Sequence, residues 1–210
     1  MTGMKGLLTS DLLWLKAQRK LLLILAALCA LYIIGDMIDF MSAFIPLFLC
    51  VDGAKSLLLN LDPNQSRFLF TLPFSRRTFI NEKYLLSLGL AIIPILLINV
   101  CAALFGKIPW EVAGLLAAIA MASCILSVSV LIPFFIHFGR NATMALMLLT
   151  GGMAIVIVLL ADIASEHAPA ILAVLQSHIA LISIGAAVVL IAILIASWLL
   201  ANKLMAKKEF

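Results

Sequence analysis

Long, continuous apolar runs separated by short polar breaks dominate this chain. The runs cover residues 21–35, 40–59, 84–105, 112–135, 142–161 and 179–200, and none alternates apolar with polar positions. Backbone N–H and C=O groups cannot stay unpaired in hydrocarbon, so spanning segments are helices or closed barrels, and unalternating runs are helices. The pattern predicts an all-α integral membrane protein with six transmembrane helices forming a single transmembrane domain over residues 1–210.

The polar breaks carry the remaining organisation. Residues 4–20 form an amphipathic helix candidate: Leu7, Leu8, Leu12 and Leu15 share a face, whereas Asp11 and Gln18 fall elsewhere. Trp14 and the basic residues around it suit a helix lying at the membrane interface, and they equally suit a basic flank of the first span. The longest polar interruption runs from residue 60 to 83. Within it Asp62 can cap a helix, Pro63 fits the first helical position and Gln65 can reach back as in a capping box. Pro73 disfavours helical geometry at the residue before it, so this helix ends near Leu72, with Phe68, Leu69 and Leu72 on one side and Arg67 near another. Ser75 is then expected to cap the helix that becomes the third span. Arg76 and Arg77 occupy its first turn, the end where the helix dipole already disfavours cations. Anionic lipid headgroups or an acidic partner surface would offset that cost.

Basic residues orient the bundle. With both termini cytoplasmic, the inner segments hold Lys5, Lys16, Arg19, Lys20, Lys55, Arg67, Arg76, Arg77, Lys83, Arg140, Lys203, Lys207 and Lys208, against Lys107 alone outside. This asymmetry is what the positive-inside rule requires. It accounts for the net charge of +4 without a nucleic-acid partner. Composition agrees: hydrophobic residues make up 65% and charged residues 11% of the chain, which leaves no room for a soluble catalytic domain.

Candidate chemistry within the spans is sparse. Cys29, Cys50, Cys101 and Cys124 all fall in apolar runs without a CxxC pair, so neither a disulfide framework nor a zinc site is expected. Asp52 and Lys55 stand three apart on a helix, either as a pair near the inner surface or as a polar contact inside the bundle. Gly114, Ala118 and Ala122 make a small-residue stripe that lets helices approach closely, inside the bundle or at a dimer seam. Ser127 and Ser129 lack a GxSxG context and read as packing or backbone-bonded serines. Asp162, Glu166 and His167 sit close together in an outer connection but lack a metal-binding motif, and no metal is expected. No GxxxxGK[ST] loop occurs, so this chain binds no ATP by that route.

Two segments carry a resemblance. FLFTLPFSRRTFINEKYL, with Pro73, Ser75, Arg76, Arg77 and the Lys83–Tyr84 pair, resembles the Leu-Pro-x-Ser-Arg segment of bacterial ABC type-2 transporter permeases. IPFFIHFG, with Pro133, Phe138 and Gly139, resembles the segment closing the fourth span in that family, although His137 stands where a basic residue is common. The resemblance implies a permease subunit of an ATP-driven exporter in the bacterial inner membrane, paired with a second permease subunit. A separate ATPase subunit would supply ATP and magnesium, with no cofactor on this chain. Asp62, Pro63, Gln65, Arg67, Phe68, Leu69 and Leu72 would form the cytoplasmic coupling helix, and Pro73, Ser75, Arg76 and Arg77 the elbow into the third span. Residues 4–20 would be the interfacial connecting helix, and 162–178 a re-entrant outer segment. The mostly aliphatic spans favour a hydrophobic or amphipathic cargo, such as a peptide or a lipid-like molecule. The competing reading is a membrane accessory subunit or small secondary carrier without ATP coupling.

Overall fold

The computed structural model describes residues 38–60, 75–139 and 179–207, together with positions 6, 7, 9–11, 13, 16, 27 and 142. Four long helices make up nearly all of this: α1, Ile38–Asn60; α2, Arg76–Leu104; α3, Trp110–Phe138; and α4, Ile179–Ala206. Among the described residues there is no strand. The expected spans 21–35 and 142–161, the coupling helix and the 162–178 connection fall almost entirely outside the described residues.

Three helices are long and apolar enough to cross a membrane: Arg76–Leu104, Trp110–Phe138 and Ser183–Ala206. They coincide with the expected third, fourth and sixth spans, and α1 coincides with the second. The ends extend beyond the apolar runs. α2 starts at Arg76 and has 29 residues. At 1.5 Å per residue that is about 43 Å, against a hydrocarbon core of about 30 Å. The surplus accommodates the two charged turns from Arg76 to Lys83 at one end of the helix.

Local chemistry sets the helix ends. The Ser75 hydroxyl accepts from the Thr78 N–H at 3.1 Å, so Ser75 caps α2 as the sequence predicts. The far end closes with the Lys107 N–H on the Ala102 carbonyl at 3.0 Å and the Gly106 N–H on Ala103 at 3.1 Å. Gly106 has φ +68, the left-handed conformation this cap needs, and the chain turns tightly into α3.

The helices pack through small and β-branched residues. Cys50, Ala54 and Leu57 form the buried stripe of α1, facing Phe79, Ile80, Tyr84 and Ala91 of α2 and Cys124, Val128, Ile132 and Phe135 of α3. α1 and α2 approach closely at Gly53, where a Cβ would lie 3.0 Å from the Ser87 Cα of α2. The Cys50 thiol reaches the Cys124 carbonyl at 3.7 Å. α2 runs antiparallel to α1, α3 and α4, so α2 begins at the end of the bundle where the other three finish. Several polar side chains within the spans donate to carbonyls of their own helix. Ser87 donates to the Lys83 carbonyl, Asn99 to Ile95, Ser123 to Ala120 and Ser127 to Ser123, each at 2.8 Å.

Candidate functional site

Polar contacts between helices concentrate at the end where α2 begins. The Arg76 guanidinium donates to the carbonyls of Met205 at 3.0 Å and Ala206 at 3.2 Å, the last turn of α4. Arg76 thus finds compensation within the chain, where the sequence suggested anionic lipid or an acidic partner surface. The cation sits at the negative pole of a neighbouring helix and satisfies carbonyls that α4 cannot pair internally. Sequence inspection considered only the dipole of α2; the compensating dipole belongs to a helix about 130 positions away. Arg77, by contrast, is exposed and forms no ion pair among the described residues.

One turn further into α2, Asn81 accepts from the Trp198 indole N–H at 2.6 Å, a second tie to α4. Next comes a buried ionic cluster. Lys83 is fully buried and forms an ion pair with Asp11 of the N-terminal segment. Its ammonium also donates to the Ser56 hydroxyl of α1 at 3.2 Å and lies 5.3 Å from the centre of the Phe79 ring. Ser56 donates in turn to Asp11 at 3.3 Å. Glu82, equally buried, has a carboxylate oxygen 3.3 Å from the Lys83 nitrogen, but neither of its oxygens accepts a hydrogen bond. The approach is close enough for charge attraction and misaligned for hydrogen bonding.

Lys83, one of the inner basic residues on sequence grounds, is a buried bridging cation. Asp11 was assigned away from the apolar face of the N-terminal segment, yet it is buried together with Leu7, one helical turn earlier. Leu7 and Asp11 are i and i+4, and the partner that makes burial of Asp11 tolerable lies on α2. Position 6 and the other described positions through 16 are helical, as the amphipathic pattern predicts.

Tyr84 completes this level. Its hydroxyl lies 2.6 Å from that of Ser197, and Ser197 donates to the Ser129 carbonyl at 2.6 Å, so Tyr84 must be the donor to Ser197. One chain of bonds thus crosses α2, α4 and α3. Ser127 is backbone-bonded as expected, whereas Ser129 contributes its carbonyl and leaves its hydroxyl without a partner. The adjacent residues Lys83 and Tyr84 therefore anchor α2 in two directions, toward α1 and the N-terminal segment and toward α3 and α4.

The other candidates are placed as follows. Ser75, Arg76 and Arg77 lie together at the start of α2. Asp62, Pro63, Gln65, Arg67, Phe68, Leu69, Leu72 and Pro73 lie outside the described residues. Pro133 is buried within α3, the Phe134 and Phe138 rings are 4.5 Å apart, and Gly139 ends the helix with φ 52. Gly114 and Ala118 are exposed and Ala122 is half-buried, with nothing within 4 Å of a Cβ at Gly114. The packed stripe of α3 inside the chain runs through Ala120, Cys124, Val128 and Ile132 instead. Asp52 and Lys55 form no ion pair among the described residues. No group of His, Cys, Asp and Glu suited to a metal occurs among the described residues.

Residues 6–206 match the family described as ABC-2 family transporter protein. The chain belongs to the ABC-2 transporter family. No curated protein and no solved structure matches it. Membership makes it a permease subunit of an ABC transporter and a multi-pass membrane protein. Permeases of this family generally work with an ABC ATPase subunit. The match runs from the N-terminal segment to the last turn of α4, and so includes every element meeting at the Lys83 level.

Proposed function

We propose that this ABC-2 permease is the membrane-spanning subunit of an ATP-driven exporter in the bacterial inner membrane. In this reading the end of the bundle carrying Lys55, Arg76, Arg77, Lys203 and Lys207 is cytoplasmic, and Lys107 is outside, as positive-inside orientation favours. Residues 62–72 dock on a separate ATPase subunit, which supplies ATP and magnesium. A second permease subunit completes the pathway, and Gly114, Ala118 and Ala122 offer a small-residue face for that contact. The cargo is hydrophobic or amphipathic, in keeping with spans that present mainly aliphatic side chains.

One observation carries this reading. The first turns of α2, directly after the proposed docking segment, are bonded to the end of α4 through Arg76 and Asn81 and to α1 and Asp11 through Lys83. A displacement at Ser75 would therefore reach several helices as one unit. A polar loop joining two spans needs no such anchorage.

Two experiments test it. Purification of the tagged chain in mild detergent should recover a stoichiometric P-loop ATPase, and replacing residues 62–72 by a Gly-Ser linker should release it. Recovery of the intact chain alone, under conditions that preserve a known ABC complex, would favour an accessory subunit or a secondary carrier. Arg77→Glu should lower ATPase-coupled transport while leaving membrane insertion unchanged, because Arg77 is exposed and outside the packed core.

A further inference from the structure

Two acids share one cation in a place that water does not reach. Lys83 and Glu82 have no exposed side-chain surface, and that of Asp11 is 7% exposed. With all three ionised the cluster holds one unneutralised negative charge. The charged groups acting on Glu82 are Lys83 on its own helix and Asp11 on the N-terminal segment. α1 contributes the neutral Ser56 to the cluster, and its own charges Asp52 and Lys55 form no ion pair with it among the described residues. His137 on α3 and Lys203 and Lys207 at the end of α4 are exposed. Nothing described offsets the extra charge.

We propose that Asp11, Glu82 and Lys83 form a proton-controlled latch that holds the N-terminal segment against the base of α2. The geometry distinguishes the roles of the two acids. Glu82 shares a helix with Lys83 and cannot leave it. Asp11 arrives from a segment 72 positions away, held by Lys83, by Ser56 and by the burial of Leu7. Glu82 accepts no hydrogen bond in its present position, so a proton on it displaces no existing partner. Protonated Glu82 leaves Lys83 to Asp11 alone, and the closed cluster is neutral. Ionised Glu82 competes for the same ammonium in a low-dielectric site, where an excess charge is most costly. The closed state therefore binds one more proton than the open state, so the latch tightens as pH falls and loosens as pH rises. This goes beyond the exporter reading and needs no ATPase.

Hydrogen–deuterium exchange on the full chain in phosphatidylethanolamine–phosphatidylglycerol liposomes tests the latch. Wild type and Glu82→Gln are compared at the same pH, so the intrinsic exchange rate cancels. Protection of the N-terminal segment in wild type, relative to Glu82→Gln, should fall several-fold from mildly acidic to mildly alkaline buffer, as the closed state loses the proton it holds in excess. Asp11→Asn should strip that protection at every pH while α2 stays protected. A constant ratio between wild type and Glu82→Gln, a Glu82→Gln chain whose segment is unprotected throughout, or an Asp11→Asn segment as protected as wild type would each overturn the proposal.

Discussion

The two ends of α4 are held in different ways. Its last turns are bonded to α2 and α3 through Ser197, Trp198 and the carbonyls that receive Arg76, and Ala201 and Met205 are fully buried. Its first half presents Ile184, Val188, Val189 and Ile191 outward. Only 11% of its spanning window is buried within the chain, against 39% for α2 and 33% for α3, so α4 is the least enclosed of the three. In water such an apolar surface would drive aggregation; in a bilayer it is what the solvent requires.

Substitutions at the anchored level should cost most. Lys83→Met removes the cation shared by Asp11 and Glu82 and leaves buried acids unpaired, at about 3–5 kcal/mol. Thermal unfolding in detergent should show the loss, and an unchanged midpoint would mean that the cluster is solvated. Gly53→Ala comes next. Its Cβ would press on the Ser87 backbone at 3.0 Å, an overpacking that costs about 1–3 kcal/mol, read in the same assay. Tyr84→Phe removes one interhelical donor and should cost about 1 kcal/mol, near the average for such bonds in membranes. Restoring a hydroxyl elsewhere should not rescue it, because Ser197 would still lack its donor. Val188→Ala, in the first half of α4, should change stability by less than about 0.5 kcal/mol. A larger loss in the assembled complex than in the isolated chain would show that another subunit covers this face.

Legibility from sequence followed the range of the interactions. The three candidate spans and the helix at 38–60 were readable because each reports a local solvent preference, averaged over about twenty residues. The Ser75 cap was readable because a side chain and its own helix start lie within one turn. For Ser127 the sequence left packing and backbone bonding open, and the structure shows the backbone bond. Asp11, Glu82 and Ser56 were not readable as a site, although Glu82 and Lys83 side by side at the edge of an apolar run were a usable signal. Two acids on separate segments come to share one cation only when folding brings Asp11 to the Lys83 that stands beside Glu82. Arg76 illustrates the same limit: its unfavourable dipole was visible in the sequence, its compensation was not.

The sequence by itself determined that this protein lives in a membrane and that its spanning segments are helices. Those properties depend on the transfer of each segment between water and hydrocarbon, which composition and run length set. Tertiary structure alone decided which stripe of α3 is packed, which carbonyls receive Arg76 and which acids share Lys83. Hydrocarbon exerts no preference among apolar faces, so helix pairing rests on close fit at Gly53 and on a few polar bonds between distant residues, and no periodicity along the chain records those partners.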